Sequence, residues 1–355
     1  MKGKGIMRNI VWVKRGTIDD SALKRAGVVV KDLMFYINLG CNLRCKTCYI
    51  GNEWLNSNEK FSFDEAKIIL KYFGSAGLDR LTFLGGEPVL HPNITDLIIY
   101  TQKYPIKERR MTTNAVSLGF LDLEKLQGDE LSHISVSFDG ITPEIHEKIR
   151  GKGTFKKTVE NVKKLINHGF KVNANFTVTG VNKYQVVDSL KFFKKLGIGE
   201  VNFHLVSMIG NASNYPELYV EPLEWVAIRK QLLSTKERIG IRARIPLMFV
   251  TPKEYKELLD KKEYYPFQIK SYHSDKGQRI VLYPNGKVYM SCDLTGTDYN
   301  FASFKDGVFS LNKGINELSV IKNDSVNPDP STTLLSLDTQ GFIRLSISFK
   351  KTVIL

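Results

Sequence analysis

From residue 33 onward, apolar and polar positions alternate between two periods. Short apolar runs at Leu33–Leu39, Leu81–Leu84, Arg110–Thr113, Ile134–Phe138, Val172–Val178 and Val201–Val206 predict six strands. Helical spacing fills the intervals. Ser62, with Glu65 three residues on, makes a capping box that opens a helix. Its apolar face is Ile68, Ile69, Tyr72 and Phe73, with Gly74 or Gly77 as the stop. Phe155, Val159, Val162 and Ile166 recur at helical spacing until Gly169, and Val186, Val187, Leu190 and Phe193 do so between Lys183 and Gly197. Strands alternating with helices imply βα units and an α/β fold, its parallel sheet curved into a barrel or part of one. Six units, rather than eight, are complete by residue 210.

Beyond residue 210 the pattern changes. Glu221–Lys236 and Pro252–Lys262 have helical character, and Pro284-Asn285-Gly286 between Arg279–Leu282 and Lys287–Ser291 signals a hairpin. Asn327-Pro328-Asp329-Pro330 suits neither helix nor central strand. Ile343, Leu345, Ile347 and Phe349 alternate with polar residues, as an edge strand would. At the other end, Ile10–Val13 and Val28–Val30 are spaced for a small edge hairpin. The expected divisions are an extension over 1–32, a barrel over 33–215, a helical connection over 216–270 and a hairpin-containing C-terminal region over 271–355.

Composition narrows the class. The chain has 355 residues, 42% hydrophobic and 25% charged, as in a soluble globular protein. No apolar segment has the length of a signal-peptide core or a membrane span. Four cysteines in so long a chain favour a reducing, cytoplasmic setting over secretion. A net charge of +14 leaves two readings open, a polyanion-binding surface and solvated helix faces. Lysine pairs such as Lys156-Lys157 and Lys194-Lys195 are spread out rather than gathered with aromatics, which favours the second.

Three of the cysteines, Cys41, Cys45 and Cys48, stand in a C-x3-C-x2-C array directly after the first predicted strand. Three such thiolates can hold three corners of a cubic iron–sulfur cluster and leave one iron open, whereas ferredoxin sites use four cysteines. The spacing does not suit structural zinc, which favours paired CxxC or CxxC with histidines. Buried thiols or a zinc knuckle are the bland alternatives. Gly85-Gly86-Glu87-Pro88 ends the second strand; paired glycines admit a close backbone approach, Glu87 offers an acceptor, and Pro88 stiffens the turn, with a cis bond one way to do it.

Together these two motifs resemble the radical S-adenosylmethionine (SAM) superfamily. The resemblance implies a six-stranded partial (β/α)6 barrel, one 4Fe-4S cluster on Cys41, Cys45 and Cys48, and SAM held by the free iron. It places Gly85, Gly86, Glu87 and Pro88 at the SAM ammonium group. Weaker matches are Thr112-Thr113-Asn114, where Ala115 replaces the family's glycine, Ser137-Phe138-Asp139-Gly140, and Arg150-Gly151-Lys152-Gly153-Thr154-Phe155. These bring Asn114, Ser137, Asp139 and Arg150 to SAM, Arg150 facing its carboxylate. For each, turn chemistry or a helix cap is the competing reading. Thr47 stands where the family often has an aromatic residue, and Tyr49 follows the third cysteine instead.

The hairpin ending in Cys292 resembles the start of a SPASM or twitch extension, which holds auxiliary clusters in peptide-modifying relatives. Here His273 or Ser274 stands near the first ligand position and no cysteine follows 292, so the extension reads as degenerate. Cys292 has three readings: a buried thiol, a ligand to a partial cluster, or a hydrogen-atom donor. His204, Asn173, Asn175 and Thr177 are expected to face the lumen or the core, and Met208-Ile209-Gly210 to line the floor or to pack. The implied activity is reductive cleavage of SAM and hydrogen abstraction from a ribosomally made peptide, with crosslinking or epimerisation as outcomes. A small molecule such as a sugar nucleotide or cofactor precursor comes next, then tRNA; a non-catalytic metal- or nucleic-acid-binding module is the rival class. An electron donor such as flavodoxin or ferredoxin is the implied partner.

Overall fold

The computed structural model describes residues 18–246, 248–250, 253, 278–296, 300–312 and 343–344. The first six strands are β1 (Val30–Asn38), β2 (Arg80–Gly85), β3 (Glu108–Thr113), β4 (His133–Phe138), β5 (Val172–Val178) and β6 (Glu200–Leu205). They lie side by side in chain order, all parallel, and a short β7 (Arg242–Arg244) adds to β6. The six predicted strands are all present, within about three residues at each end. The other edge of β1 takes β9 (Gln278–Leu282) in parallel, followed by antiparallel β10 (Lys287–Tyr289), β11 (Ala302–Lys305) and β12 (Val308–Leu311). The order runs from β12 to β7 without closing, so this is a partial barrel extended at one edge by the C-terminal hairpin.

Helices cover the outer face. They include α1 (Ser21–Arg25), α2 (Asn52–Leu55), α3 (Phe63–Ser75), α4 (Ile94–Thr101), α5 (Pro143–Arg150), α6 (Thr154–Asn167), α7 (Val186–Lys195) and α8 (Pro222–Ile239). The capping box of α3 is complete: Glu65 N–H donates to Ser62 Oγ at 3.2 Å and Ser62 N–H to Glu65 Oε2 at 2.8 Å. Its buried face is Ala66, Ile69, Leu70 and Phe73, so Ile68 and Tyr72 sit at the margin rather than at the centre. The periodicity missed four short helices: α1 and α2 have five and four residues, and α4 and α5 have eight each. The usable signal for α5 was Pro143 at its first turn. The Lys183–Gly197 segment begins as a 3-10 turn over Lys183–Gln185 before α7.

Side-chain alternation splits the sheet into two environments. Leu33, Phe35, Ile37, Leu81, Phe83, Met111, Ile134, Val136, Ala174, Phe176, Val201 and Phe203 point to the helices and form the main core. The opposite face, which lines the barrel, carries Thr82, Thr112, Ser135, Ser137, Asn173, Asn175, Thr177, Asn202 and His204, aligned by the registers Ser137↔Asn175↔Asn202 and Thr177↔His204. His204 is exposed there, and Asn202 Nδ2 donates to Asn175 Oδ1 at 3.1 Å.

The Asn285-Gly286 turn forms, with Tyr283 N–H to Lys287 O at 3.2 Å enclosing three residues rather than two. At the N-terminal side no separate hairpin strand exists at Val28–Val30: Val28 is a core residue and Val30 opens β1. Residues 10–13, 254–262, 273–274, 327–330 and 345–349 lie outside the described residues. Ile343–Arg344 pairs with β8 (Phe249–Val250) in a two-stranded sheet apart from the main one. No helix among the described residues is long and apolar enough to cross a membrane.

The junction between β1 and β9 is pinned by charge. Asp32, its side chain 8% exposed, pairs with Arg279 at 2.7 Å and Arg80 at 3.1 Å, and Arg80 reaches Glu108 at 2.9 Å. Removing the shared carboxylate leaves two arginines facing each other. Asp32→Ala is expected to cost on the order of 2 kcal/mol, less than the ~3–5 of fully buried pairs because both arginines keep some water. Urea unfolding should show the loss, with hydrogen exchange accelerating first in β9.

Candidate functional site

Cys41, Cys45 and Cys48 lie on the loop that leaves the C-terminal end of β1, a stretch with no regular structure of its own. Its backbone is held from three directions. Gly86 N–H donates to Asn38 O and Glu87 N–H to Gly40 O, both at 2.9 Å. Lys46 N–H donates to Ile149 O at 2.9 Å, and Asn211 N–H to Cys48 O at 2.8 Å. The Asn211 amide also donates to Cys45 O at 3.0 Å and to Asn52 Oδ1 at 2.9 Å. These approaches demand glycine. A Cβ on Gly86 would lie 2.3 Å from Leu39 O, and one on Gly210, whose φ is +58°, would lie 2.5 Å from Cys48 O and Tyr49 O. Gly210 therefore belongs to the loop's support, a role that neither the floor nor the packing reading of 208–210 anticipated.

Each sulfur has a donor. Leu43 N–H meets Cys41 Sγ at 3.4 Å, Ile50 and Gly51 N–H serve Cys48, and the Arg150 guanidinium lies 3.9 Å from Cys45 Sγ. Burial pushes the Cys41 thiol up to about 11 and Cys45 up to about 12, and raises Cys48 too. Among the described residues no three His, Cys, Asp or Glu side chains stand in metal-sharing geometry. The donor set nevertheless fits an iron–sulfur cluster. The three thiols share one loop, lie close enough to sense one another's charge, and receive the N–H groups that stabilise cluster sulfurs.

Glu87 is buried, at 1% exposure. Its Oε1 accepts from Thr113 Oγ1 at 2.6 Å and Val89 N–H at 3.4 Å, and its Oε2 accepts from Asn114 N–H at 2.7 Å. Burial raises its pKa to about 7 despite those bonds. It thus ties the end of β2 to the end of β3, a structural duty beyond the acceptor role read from sequence. Pro88 is trans, since no peptide bond among the described residues is cis; it starts a 3-10 turn over Pro88–Leu90. Asn114 Nδ2 donates to Asn42 Oδ1 at 2.8 Å, and Ala115, in the glycine's place, keeps a left-handed φ of +51°.

Asp139, fully buried, pairs with Arg150 Nε at 2.7 Å and accepts from Thr47 Oγ1 at 3.2 Å. Asn182 holds its carbonyl at 3.0 Å, and its N–H donates to His146 Nδ1 at 3.4 Å, a neutral histidine whose pKa burial lowers to about 3. Arg150 is therefore already engaged inside the protein, at Asp139 and Cys45. Ser137 stays on the lumen face of β4, half-buried. Tyr49 shares a hydrogen bond with Tyr36, whose hydroxyl donates to Cys292 Sγ at 3.5 Å. Cys292 also touches Met34 Sδ at 3.3 Å, in a cluster with Tyr36, Tyr283, Trp54, Cys41 and Cys48. The structure gathers Thr47, Tyr49, Gly85, Gly86, Glu87, Pro88, Asn114, Asp139, Arg150 and Cys292 around the cysteine loop, with Ser137 beside it; Asn173, Asn175, Thr177 and His204 lie on β5 and β6, and His273 and Ser274 lie outside the described residues. Asn38, Tyr36, His146, Asn182 and Asn211 were missed because single buried polar residues carry no spacing signal.

Glu87→Gln turns one acceptor into a donor facing N–H or O–H donors. The substitution should cost about 1–3 kcal/mol of stability, read as a lower urea midpoint with unchanged slope. The raised carboxyl also gives a pH signature. Between ~4.5 and ~7 the folded state binds the extra proton, so stability contributed here falls as pH rises. That slope should vanish in Glu87→Gln.

With this geometry established, the relatives fall into place. Residues 35–193 match the family described as the Radical SAM superfamily. A probable GTP 3′,8-cyclase of Sulfurisphaera tokodaii is 29% identical over 62% of this chain and 70% of its own length. Another, of Methanocaldococcus jannaschii, is 28% identical over 48% of this chain and 57% of its own. Among solved structures, Streptococcus suis SuiB bound to the precursor peptide SuiA superposes with a TM-score of 0.62 at 17% identity, covering 81% of this chain and 65% of that one. A match of that identity speaks to the fold. The cysteine loop and the partial barrel agree with that family match: residues 35–193 of this chain are similar to the Radical SAM superfamily.

Proposed function

We propose that this chain is a radical SAM enzyme acting on a small, polar substrate held inside the partial barrel. Cys41, Cys45 and Cys48 would hold one 4Fe-4S cluster, which when bound supplies the electron that splits SAM and releases a 5′-deoxyadenosyl radical. Gly85 and Gly86 let the end of β2 pack directly on Asn38, Leu39 and Gly40 and so fix Glu87 beside the cysteine loop, and Glu87 uses three of its roughly four acceptor positions internally, leaving one for the SAM ammonium. Pro88, Asn114, Thr47 and Tyr49 shape the wall of that pocket, and Asp139 and Arg150 form its charged flank. An electron donor such as flavodoxin or ferredoxin, in the cytoplasm, would supply the reductant.

The observation behind the substrate class is the lumen face. Ser137, Asn175 and Asn202 lie in register on the lumen face, with Thr177 paired to His204 two residues further along, where apolar side chains would pack best if nothing polar entered. Uncharged hydroxyls and amides fixed on strands suit the hydroxyls and carbonyls of a nucleotide, sugar or cofactor precursor. The names of the curated relatives, GTP 3′,8-cyclases, point the same way. A ribosomal peptide is the second reading, favoured by the β9–β10 hairpin on the barrel edge and by the peptide-bound fold relative. Either way, only Cys292 lies outside the triad, so one cluster is expected.

Anaerobic reconstitution should give about four irons per chain, one cubane, and replacing all three loop cysteines with Ala should abolish both iron and 5′-deoxyadenosine. About eight irons would demand non-cysteine ligands to a second cluster. Substrate class is read by adding nucleotides, sugar nucleotides or short peptides to reduced enzyme with SAM. Faster 5′-deoxyadenosine release with a nucleotide or sugar, reduced in Asn175→Ala/Asn202→Ala, is the expected outcome; stimulation by peptides alone would overturn the small-molecule reading.

A further inference from the structure

The three sulfurs are not treated alike. Cys41 and Cys48 receive backbone N–H groups, whereas Cys45 faces a formal cation, the Arg150 guanidinium at 3.9 Å. That cation is itself held at 2.7 Å by Asp139, whose side chain is wholly buried; the Arg150 side chain is 11% exposed. The carboxylate has little other support. Its Oδ2 also accepts from Thr47, and its Oδ1 is buried without a hydrogen-bond partner. Both charges reach Cys45, in opposite senses.

We propose that Asp139 and Arg150 form a buried ion pair that sets the reduction potential of the cluster through Cys45. The inference rests on the cysteine loop holding the cluster. One electron added to a cluster makes it more negative, so a neighbouring cation favours the reduced state and a neighbouring anion opposes it. Little solvent reaches the pair, so bulk ions screen it weakly. Arg150 alone would make the cluster an easy electron acceptor, and therefore a weak reductant toward a sulfonium. Asp139 offsets that charge while leaving the N–H groups of Arg150 on the sulfur. Thr47, two residues after Cys45, fixes the carboxylate in place. Asp139 is thus a positioning residue that acts on the sulfur through Arg150.

The test is potentiometric titration of the reconstituted full-length chain, followed by the electron paramagnetic resonance of the reduced cluster and run without SAM. Omitting SAM separates this role from carboxylate binding by Arg150. Asp139→Asn should raise the ratio of reduced to oxidised cluster at fixed ambient potential at least tenfold, and Arg150→Gln should lower it as much, about 59 mV either way for one electron. The double variant should return close to wild type, and Arg150→Lys, which keeps the charge, should lie between Arg150→Gln and wild type. Unchanged potentials in both single variants, or shifts of the same sign, would overturn the proposal. So would loss of iron in every variant including Arg150→Lys, which would make the pair a builder of the loop. A wild-type chain that binds no iron would overturn the cysteine-loop reading beneath it.

Discussion

A loop without internal secondary structure has to hold three sulfurs steady, and the surrounding elements supply the hydrogen bonds that the loop cannot make for itself. The glycines after β2, the last turn of α5 and the Asn211 turn after β6 each present a backbone or amide group to it. None of these contacts is strong alone, at about 1 kcal/mol net apiece. Their effect comes from convergence: the loop is pinned at Asn38, Gly40, Cys45, Lys46 and Cys48, so few of its residues stay free to rearrange. Where a side chain would block such an approach, glycine stands.

The sheet serves the loop by keeping its two faces distinct. One face is driven against helices by Leu, Ile, Val and Phe, and that burial is the main source of stability. The other is left to hydroxyls, amides and, toward the N-terminal ends of the strands, ion pairs. A polar lumen gives up some hydrophobic gain, which the helical layer has to supply. The long, uninterrupted apolar side of β5 and β6 is consistent with that division.

How much of this was legible in the sequence follows from the physics of each signal. The strands were, because an apolar run bounded by turns marks itself; so were the capping box at Ser62 and the Asn285-Gly286 hairpin, which are local chemistry. Helices α4 and α5 were not, since two turns give too few repeats for a period to show. The cysteine triad and Gly85–Pro88 were legible as contiguous motifs. Their supports were not: Asn211 acts on Cys45 across 166 residues, and nothing in its neighbours distinguishes it from an ordinary turn asparagine. Arg150 was recognisable, but its partner Asp139 and its contact with Cys45 depend on the approach of α5 to the loop, which only the folded chain specifies.

The pairing of β9 with β1 has a consequence for how the molecule is made. Arg279 meets Asp32 across 247 residues of chain, so during synthesis β1 keeps one row of backbone N–H and C=O groups unpaired until β9 has emerged. An unpaired parallel strand is a template for wrong partners, and loop closure over such a distance is slow. Folding of the cysteine end of the barrel can run ahead of this, because β2 to β6 and their helices close through local βα units. The seam between β9 and β1, the strand that leads into the cysteine loop, therefore has to wait for the C-terminal hairpin to arrive.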